Sequence, residues 1–144
     1  MSLSDRQLWD VRYRQGAYAE RLWGSAYFQQ CMSEITAQQA GTRALDVACG
    51  RGRNSIYAAQ QGYVVDAVDV SPTALAQAAQ QALRAGVTVN WCCQNVQDSE
   101  GVSAWRPQRE YDLIVMFRFV APSLLPALVR HLAVGGQLLV EEHM

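Results

Sequence analysis

Residues 43–70 read RALDVACGRGRNSIYAAQQGYVVDAVDV, and the rest of the chain is organised around them. Ala44 to Val47 is a short run, apolar except for Asp46, that predicts a strand leading into Ala48-Cys49. Gly50 and Gly52 then let the backbone turn sharply and come close to a ligand. Arg53 to Gln61 predicts a helix, closed by Gly62 just past its end. Val64 to Val68 follows as a second strand and ends on Asp69. The result is one β-α-β unit with an acid at the tip of each strand.

A nucleoside-bearing ligand suits such a unit. The acid after the second strand can accept hydrogen bonds from both ribose hydroxyls, and the turn sets backbone N–H groups and a helix N-terminus beside the ligand. Dinucleotide-binding turns read G-x-G-x-x-G. Here the run is Gly50-Arg51-Gly52-Arg53-Asn54-Ser55, so Ser55 replaces the third glycine. Asp46 also stands just ahead of the turn, where a diphosphate is repelled and an ammonium group is welcome. S-adenosyl-L-methionine carries an ammonium, a sulfonium and no phosphate, so the acid favours it over NAD.

The segment Asp46-Val47-Ala48-Cys49-Gly50-Arg51-Gly52 resembles the first motif of the class I S-adenosylmethionine-dependent methyltransferases, with Ala48 where a glycine is commoner. Gly52-Arg53-Asn54-Ser55, followed by Gly62-Tyr63 and Val68-Asp69, is similar to the branch that holds tellurite-resistance and thiopurine-type enzymes. The resemblance runs from Trp9 to Glu142. It implies a Rossmann-like, doubly wound α/β fold with a parallel sheet in the order 3-2-1-4-5. It also implies that the cofactor lies against Asp46, Ala48, Cys49, Gly50, Gly52, Asn54, Ser55, Asp69, Val70, Asn95, Val96 and Phe117. A small-molecule methyl acceptor is the expected substrate.

Composition narrows the alternatives. The 144 residues make one domain, half hydrophobic, with a net charge of −1, which speaks against a nucleic-acid footprint or a membrane-surface patch. No apolar run approaches the roughly 20 residues of a membrane span, and the start MSLSDRQ lacks the layout of a signal peptide. A cytoplasmic protein is expected. All 12 basic residues are Arg, so Schiff-base chemistry and a P-loop lysine are excluded. Cys31, Cys49, Cys92 and Cys93 form no C-x-x-C pair, and with two His a zinc site is not expected.

Ahead of the central unit, Ser4 to Arg14 predicts a helix opened by a Ser4–Gln7 capping box, with Leu8, Trp9 and Val11 on its apolar side. Trp9-Asp10-x-Arg12-Tyr13, with Tyr18 and Trp23, resembles a segment that in relatives lies over the cofactor and helps form the substrate pocket; covering one end of the sheet is the alternative. Ser25 caps a second helix, Ala26 to Ala40, whose Phe28, Cys31, Met32 and Ile35 form a buried stripe. Residues 1–42 are thus expected to cap a β/α core over 43–144.

Behind the central unit, Ser71-Pro72 opens a helix to about Ala85, closed by Gly86, with Leu75, Ala78, Ala79, Ala82 and Leu83 as its buried stripe. Val87 to Cys92 reads as the third strand, and Asn95-Val96-Gln97-Asp98 as the loop that in the family meets adenine. Tyr111 to Phe117 reads as a buried fourth strand. Arg118 at its tip and Tyr13 from the N-terminal segment are the candidate catalytic residues; each is equally well a structural side chain. Pro122 to Leu132 predicts a helix with His131 at its surface, and Gly135-Gly136 a turn into a fifth strand, Gln137 to Glu142. His143 just beyond could act as a base by position, or simply be a solvated residue.

The family's usual last two strands have no counterpart here. The expectation is therefore a truncated chain whose fifth strand is an open edge, covered in one reading by a second copy in a homodimer. Three functional readings stay open: a small-molecule methyltransferase, a cofactor-binding module or truncated fragment without turnover, and an NAD-dependent oxidoreductase. Ser55, Asp46 and the lack of a Tyr-x-x-x-Lys pair weigh against the last.

Overall fold

A computed structural model describes residues 5–15, 26–34, 42–96, 105–117 and 122–141. Five parallel strands form one sheet in the order β3-β2-β1-β4-β5, as the sequence leads one to expect. They are β1 (Arg43–Val47), β2 (Val64–Asp69), β3 (Asn90–Cys93), β4 (Tyr111–Phe117) and β5 (Leu132–Glu141). The helices are α1 (Asp5–Arg14), α2 (Ala26–Glu34), α3 (Arg53–Gln60), α4 (Pro72–Ala85) and α5 (Leu125–Arg130). None of them is long and apolar enough to cross a membrane.

The inner strands β1, β2 and β4 are largely apolar and buried because both faces of the sheet are covered there. Side chains alternate across it with period two. Ala44, Val65, Ala67, Leu113, Val115 and Phe117 pack on one face with Phe28 and Met32 of α2 and Ala58 of α3. Leu45, Val47, Val68, Ile114 and Met116 pack on the other with Leu124, Ala127 and Leu128. Asp46 pairs with Ala67, so Asp46 and Asp69 share the first face, at the carboxyl ends of neighbouring strands. That shared parity brings the two acids to one place.

Both helices flanking β2 end on a left-handed glycine. At the end of α3 the N–H of Tyr63 donates to the Ala58 carbonyl and that of Gly62 to Ala59; at the end of α4 Val87 donates to Ala82 and Gly86 to Leu83. These are paired Schellman closures. The buried face of α4 differs from expectation. It consists of Ala74, Leu75, Ala78 and Ala82, whereas Ala79 is exposed and Leu83 is 81% exposed. The row 74–78–82 faces inward because Ala78 packs against Gly52: a Cβ there would lie 2.9 Å from that of Ala78.

Other boundaries shift as well. The third strand starts at Asn90, after the chain has left Gly86. The expected helix from Pro122 is a turn followed by the short α5; Val129 is 55% exposed, and Leu132 belongs to β5. The fifth strand begins ahead of the glycine pair. Tyr111 pairs with Leu132 and Leu113 already with Gln137, so the segment between forms an irregularity within β5. Gly135 takes φ +79, and a Cβ on Gly136 would meet the Ala133 and Tyr111 carbonyls at 2.9 Å, so the pair serves that bulge.

Among the described side chains of α1 the buried one is Asp10; Leu8 is half-buried and Val11 exposed. The side chains of Trp9 and Tyr13 lie outside the described residues, as do Ser4, Tyr18, Trp23, Ser25, Ile35 to Gly41, Asp98, Arg118, Glu142 and His143.

Candidate functional site

Three residues of the turn after β1 take left-handed backbone: Ala48 (φ 58), Gly50 (φ 58) and Gly52 (φ 79). Ala48 is the one non-glycine in that region among the described residues. The turn is pinned to its neighbours. Cys49 N–H donates to the Val68 carbonyl at 3.0 Å, Gly52 N–H to the Cys49 carbonyl at 3.0 Å, and Ile56 N–H to the Gly52 carbonyl at 2.8 Å. Gly52 has a second reason to be glycine, since a Cβ would stand 2.5 Å from the Trp91 ring.

Asp69 joins two turns. One carboxylate oxygen accepts the Gly50 N–H at 3.1 Å, and the other accepts the Ser71 N–H at 3.0 Å. Each oxygen keeps a lone pair for a further donor such as a hydroxyl. Burial raises its pKa, opposed by the N–H groups of Ser71, Gly50 and Val70. Asp46 is 4% exposed and accepts the Ser55 hydroxyl at 2.6 Å. Burial pushes its pKa up to about 7; the charge of Asp69 adds to this, while the Ser55 hydrogen bond and the charge of Arg53 oppose it. Burial, with Asp46 and Asp69 nearby, also lifts the Cys49 thiol well above its usual value. A raised thiol pKa disfavours the thiolate, the form that acts as a nucleophile.

The structure thus brings together Asp46, the Ala48–Gly52 turn, Ser55 and Asp69. Asn54 is buried in the first turn of α3, and Val70, half-buried, accepts the Cys93 thiol with its carbonyl at 3.7 Å. Asn95 is exposed beyond β3, held near Asp69 by the Gln94 N–H on the Asp69 carbonyl at 3.0 Å. The Val96 side chain points into the second core cluster. Phe117 ends β4 under α2, its ring edge-on to Phe28 at 5.4 Å and to Tyr27 at 6.1 Å. Two buried acids without phosphate-binding geometry suit a cationic, hydroxyl-bearing ligand.

Sequence reasoning placed Asp10 in the Trp9-Asp10-x-Arg12-Tyr13 segment but gave it no role of its own. Its carboxylate accepts the Ser71 hydroxyl at 2.8 Å and the Thr73 N–H at 3.0 Å, and pairs with Arg14 at 2.8 Å. The Thr73 hydrogen bonds, then Ser71 and Arg14, hold its pKa below the usual value against burial. Beyond that segment only the Asp10–Arg14 spacing of four was visible beforehand; the partners on α4 were not. A separate cavity of ≈ 530 Å³, lined by Leu45, Asp66, Cys92, Trp105, Arg109 and Tyr111 among others, contains none of the expected cofactor residues. Its polar end is already bonded internally: Asp66 accepts the Tyr111 hydroxyl at 2.6 Å and the Asn90 amide at 3.1 Å.

A family model described as a methyltransferase domain matches residues 44–136. Hemagglutinin 1 of Eikenella corrodens is 27% identical over 134 residues, covering 88% of this chain but only 43% of that protein. Among solved structures, a TehB-like S-adenosylmethionine-dependent methyltransferase of Corynebacterium glutamicum aligns with a TM-score of 0.62 at 23% identity, covering 94% of this chain and 71% of that one. A methyltransferase of Thiobacillus denitrificans in complex with S-adenosyl-L-homocysteine aligns with a TM-score of 0.63 at 20% identity, over 81% of this chain and 48% of that one.

Proposed function

Because the chain belongs to the methyltransferase domain family, we propose that it binds S-adenosyl-L-methionine and transfers its methyl group to a small molecule. The observation that carries this reading is the pair of buried acids, Asp46 and Asp69, around the Ala48–Gly52 turn. Asp46 meets the ligand's ammonium and Asp69 its ribose hydroxyls. Asn95 and the backbone of Val96 flank the adenine, and Phe117 bounds the reaction space; the candidate catalytic residues Arg118 and Tyr13 lie outside the described side chains. The same reading assigns it a cytoplasmic location and a small molecule, rather than a nucleic acid or a membrane, as its partner. A second copy against the β5 edge, where Val140 is 37% exposed, would give a homodimer.

When bound, the cofactor supplies an electrophilic methyl group on a sulfonium. The chain's own task is orientation. Asp46 and Asp69, held by Ser55 and by the two turns, set the amino-acid and ribose ends of the ligand, and alignment rather than an acid–base dyad lowers the barrier. The acceptor needs a nucleophilic atom that ionises readily or is intrinsically soft.

Calorimetric titration with S-adenosylhomocysteine, with NAD as control, tests the reading. Binding of the first alone supports it, and a screen of small thiols, phenols and oxyanions then asks for turnover. Binding of NAD alone, or of neither, refutes it.

A further inference from the structure

Asp10 is 7% exposed on a helix whose neighbouring Val11 is 38% exposed and whose Arg14 side chain is 68% exposed. Among the described side chains of α1 Asp10 alone is buried, and its burial calls for a reason. Apart from Arg14 on its own helix, its partners lie at the start of α4. One oxygen takes the Ser71 hydroxyl and the Thr73 N–H; the other takes Arg14, whose Nε reaches back to the Thr73 hydroxyl at 3.4 Å.

Capping alone does not account for this. Ser71 already accepts the Ala74 N–H on its side-chain oxygen at 3.1 Å, and Pro72 has no N–H to satisfy. Asp10 caps the Thr73 N–H directly, and beyond that it fixes the Ser71 hydroxyl, on the same residue whose N–H faces Asp69. That N–H is one of the two that hold the Asp69 carboxylate, the other being Gly50. A chain of hydrogen bonds therefore runs from α1 through Asp10, Ser71 and Asp69 to the glycine turn. Asp10 and Ser71 are 61 positions apart, so the chain exists only when α1 is docked.

We propose that Asp10 is a positioning residue: through Ser71 it aims Asp69 at the ribose, so that docking of α1 and engagement of the nucleoside end of the ligand are one event. The assignment rests on the reading of Asp69 as the ribose acid. Linkage makes the effect reciprocal: a ligand held by Asp69 stabilises the docked α1 by the same factor that docking adds to affinity.

The test measures affinity for S-adenosylhomocysteine and for adenosine, which lacks the amino-acid end, in the wild type, Asp10→Ala and Asp10→Asn. Loss of the two hydrogen bonds in Asp10→Ala is expected to weaken both ligands by the same factor, about tenfold. Asp10→Asn keeps an acceptor for Ser71 and Thr73 but loses the ion pair with exposed Arg14, and should stay within about threefold of the wild type. A general loss of stability would leave affinity unchanged well below the melting temperature. In the wild type, S-adenosylhomocysteine should also slow amide exchange over residues 5–15, and this arm decides the matter if Asp10→Ala does not fold.

Folded Asp10→Ala that binds within twofold of the wild type overturns the proposal. So does weakening of S-adenosylhomocysteine but not adenosine, or exchange over 5–15 indifferent to ligand. Absence of ligand binding by the wild type would instead refute the functional reading, and this assignment with it.

Discussion

At neutral pH the buried carboxyl of Asp46 sits near its own midpoint, about 7, against an ordinary value of 3.8. A shift of about 3 units is worth on the order of 4 kcal/mol between the two protonation states. The sign follows from proton counting. Between pH 3.8 and about 7 the folded chain keeps a proton that the unfolded chain has released, so stability falls as pH rises across that window. Below it both states are protonated; above it both are ionised and the loss is complete. A ligand ammonium beside Asp46 reverses the local preference, because it stabilises the ionised form. Binding of S-adenosylhomocysteine at pH 6 should therefore release close to one proton, and at pH 8 almost none. Affinity should climb by up to tenfold per pH unit below 7 and level off above it. Calorimetry in two buffers of different ionisation enthalpy reads the proton directly. Asp46→Asn is the control, expected to flatten both the stability slope and the affinity slope. Affinity independent of pH between 5.5 and 8, with no proton released, would refute the reasoning.

Ala48→Gly relieves a left-handed alanine at φ 58 and should stabilise the chain by about 1 kcal/mol, since the strain outweighs glycine's entropy; a thermal melt reads it as a higher midpoint. Gly52→Ala drives a Cβ to 2.5 Å from Trp91 at φ +79 and should cost about 3 kcal/mol in denaturant unfolding. Tyr111→Phe removes one of the hydrogen bonds to Asp66 and should cost about 1 kcal/mol, with cofactor affinity unchanged because that cavity is separate from the turn. If β5 pairs with a second copy, light scattering should show a dimer that Val140→Lys dissociates; a monomeric wild type would remove that reading.

The parts of the fold that could be read beforehand are those whose signals are local. The glycine closures of α3 and α4, the Ser71-Pro72 start and the apolar strands all depend on residues a few positions apart. What stayed hidden was decided by tertiary contact. The sequence of α4 carries alanine and leucine on two adjacent rows, and only the approach of Gly52 selects the row with Ala78. Gly135-Gly136 reads as punctuation ahead of a strand, yet pairing of Leu132 with Tyr111 carries β5 back past it. Asp10 sits in a recognisable segment, but nothing in it points to the start of α4, 61 positions away. In the site, the kinds of chemistry were visible in Asp46 and Asp69. That Asp69 already holds two turns together was not.

That same hydrogen bonding bears on which ligand the turn accepts, more strongly than the missing third glycine does. A phosphate cradle works by offering backbone N–H groups that have no other acceptor, at a turn and at the helix N-terminus behind it. Here the N–H groups of Cys49, Gly50 and Gly52 are committed to the Val68 carbonyl, the Asp69 carboxylate and the Cys49 carbonyl. A pyrophosphate drawing on those three donors would have to break their bonds and would lie against two buried acids. An ammonium and a ribose need none of those donors, and each brings donors of its own to carboxylates that still have lone pairs to accept them. The turn thus selects through what its N–H groups already hold. It follows that an Asp69→Asn variant, with less charge but the same shape, should lose affinity for S-adenosylhomocysteine without gaining any for NAD. A gain for NAD would mean that charge alone, and not the committed turn, had been keeping the dinucleotide out.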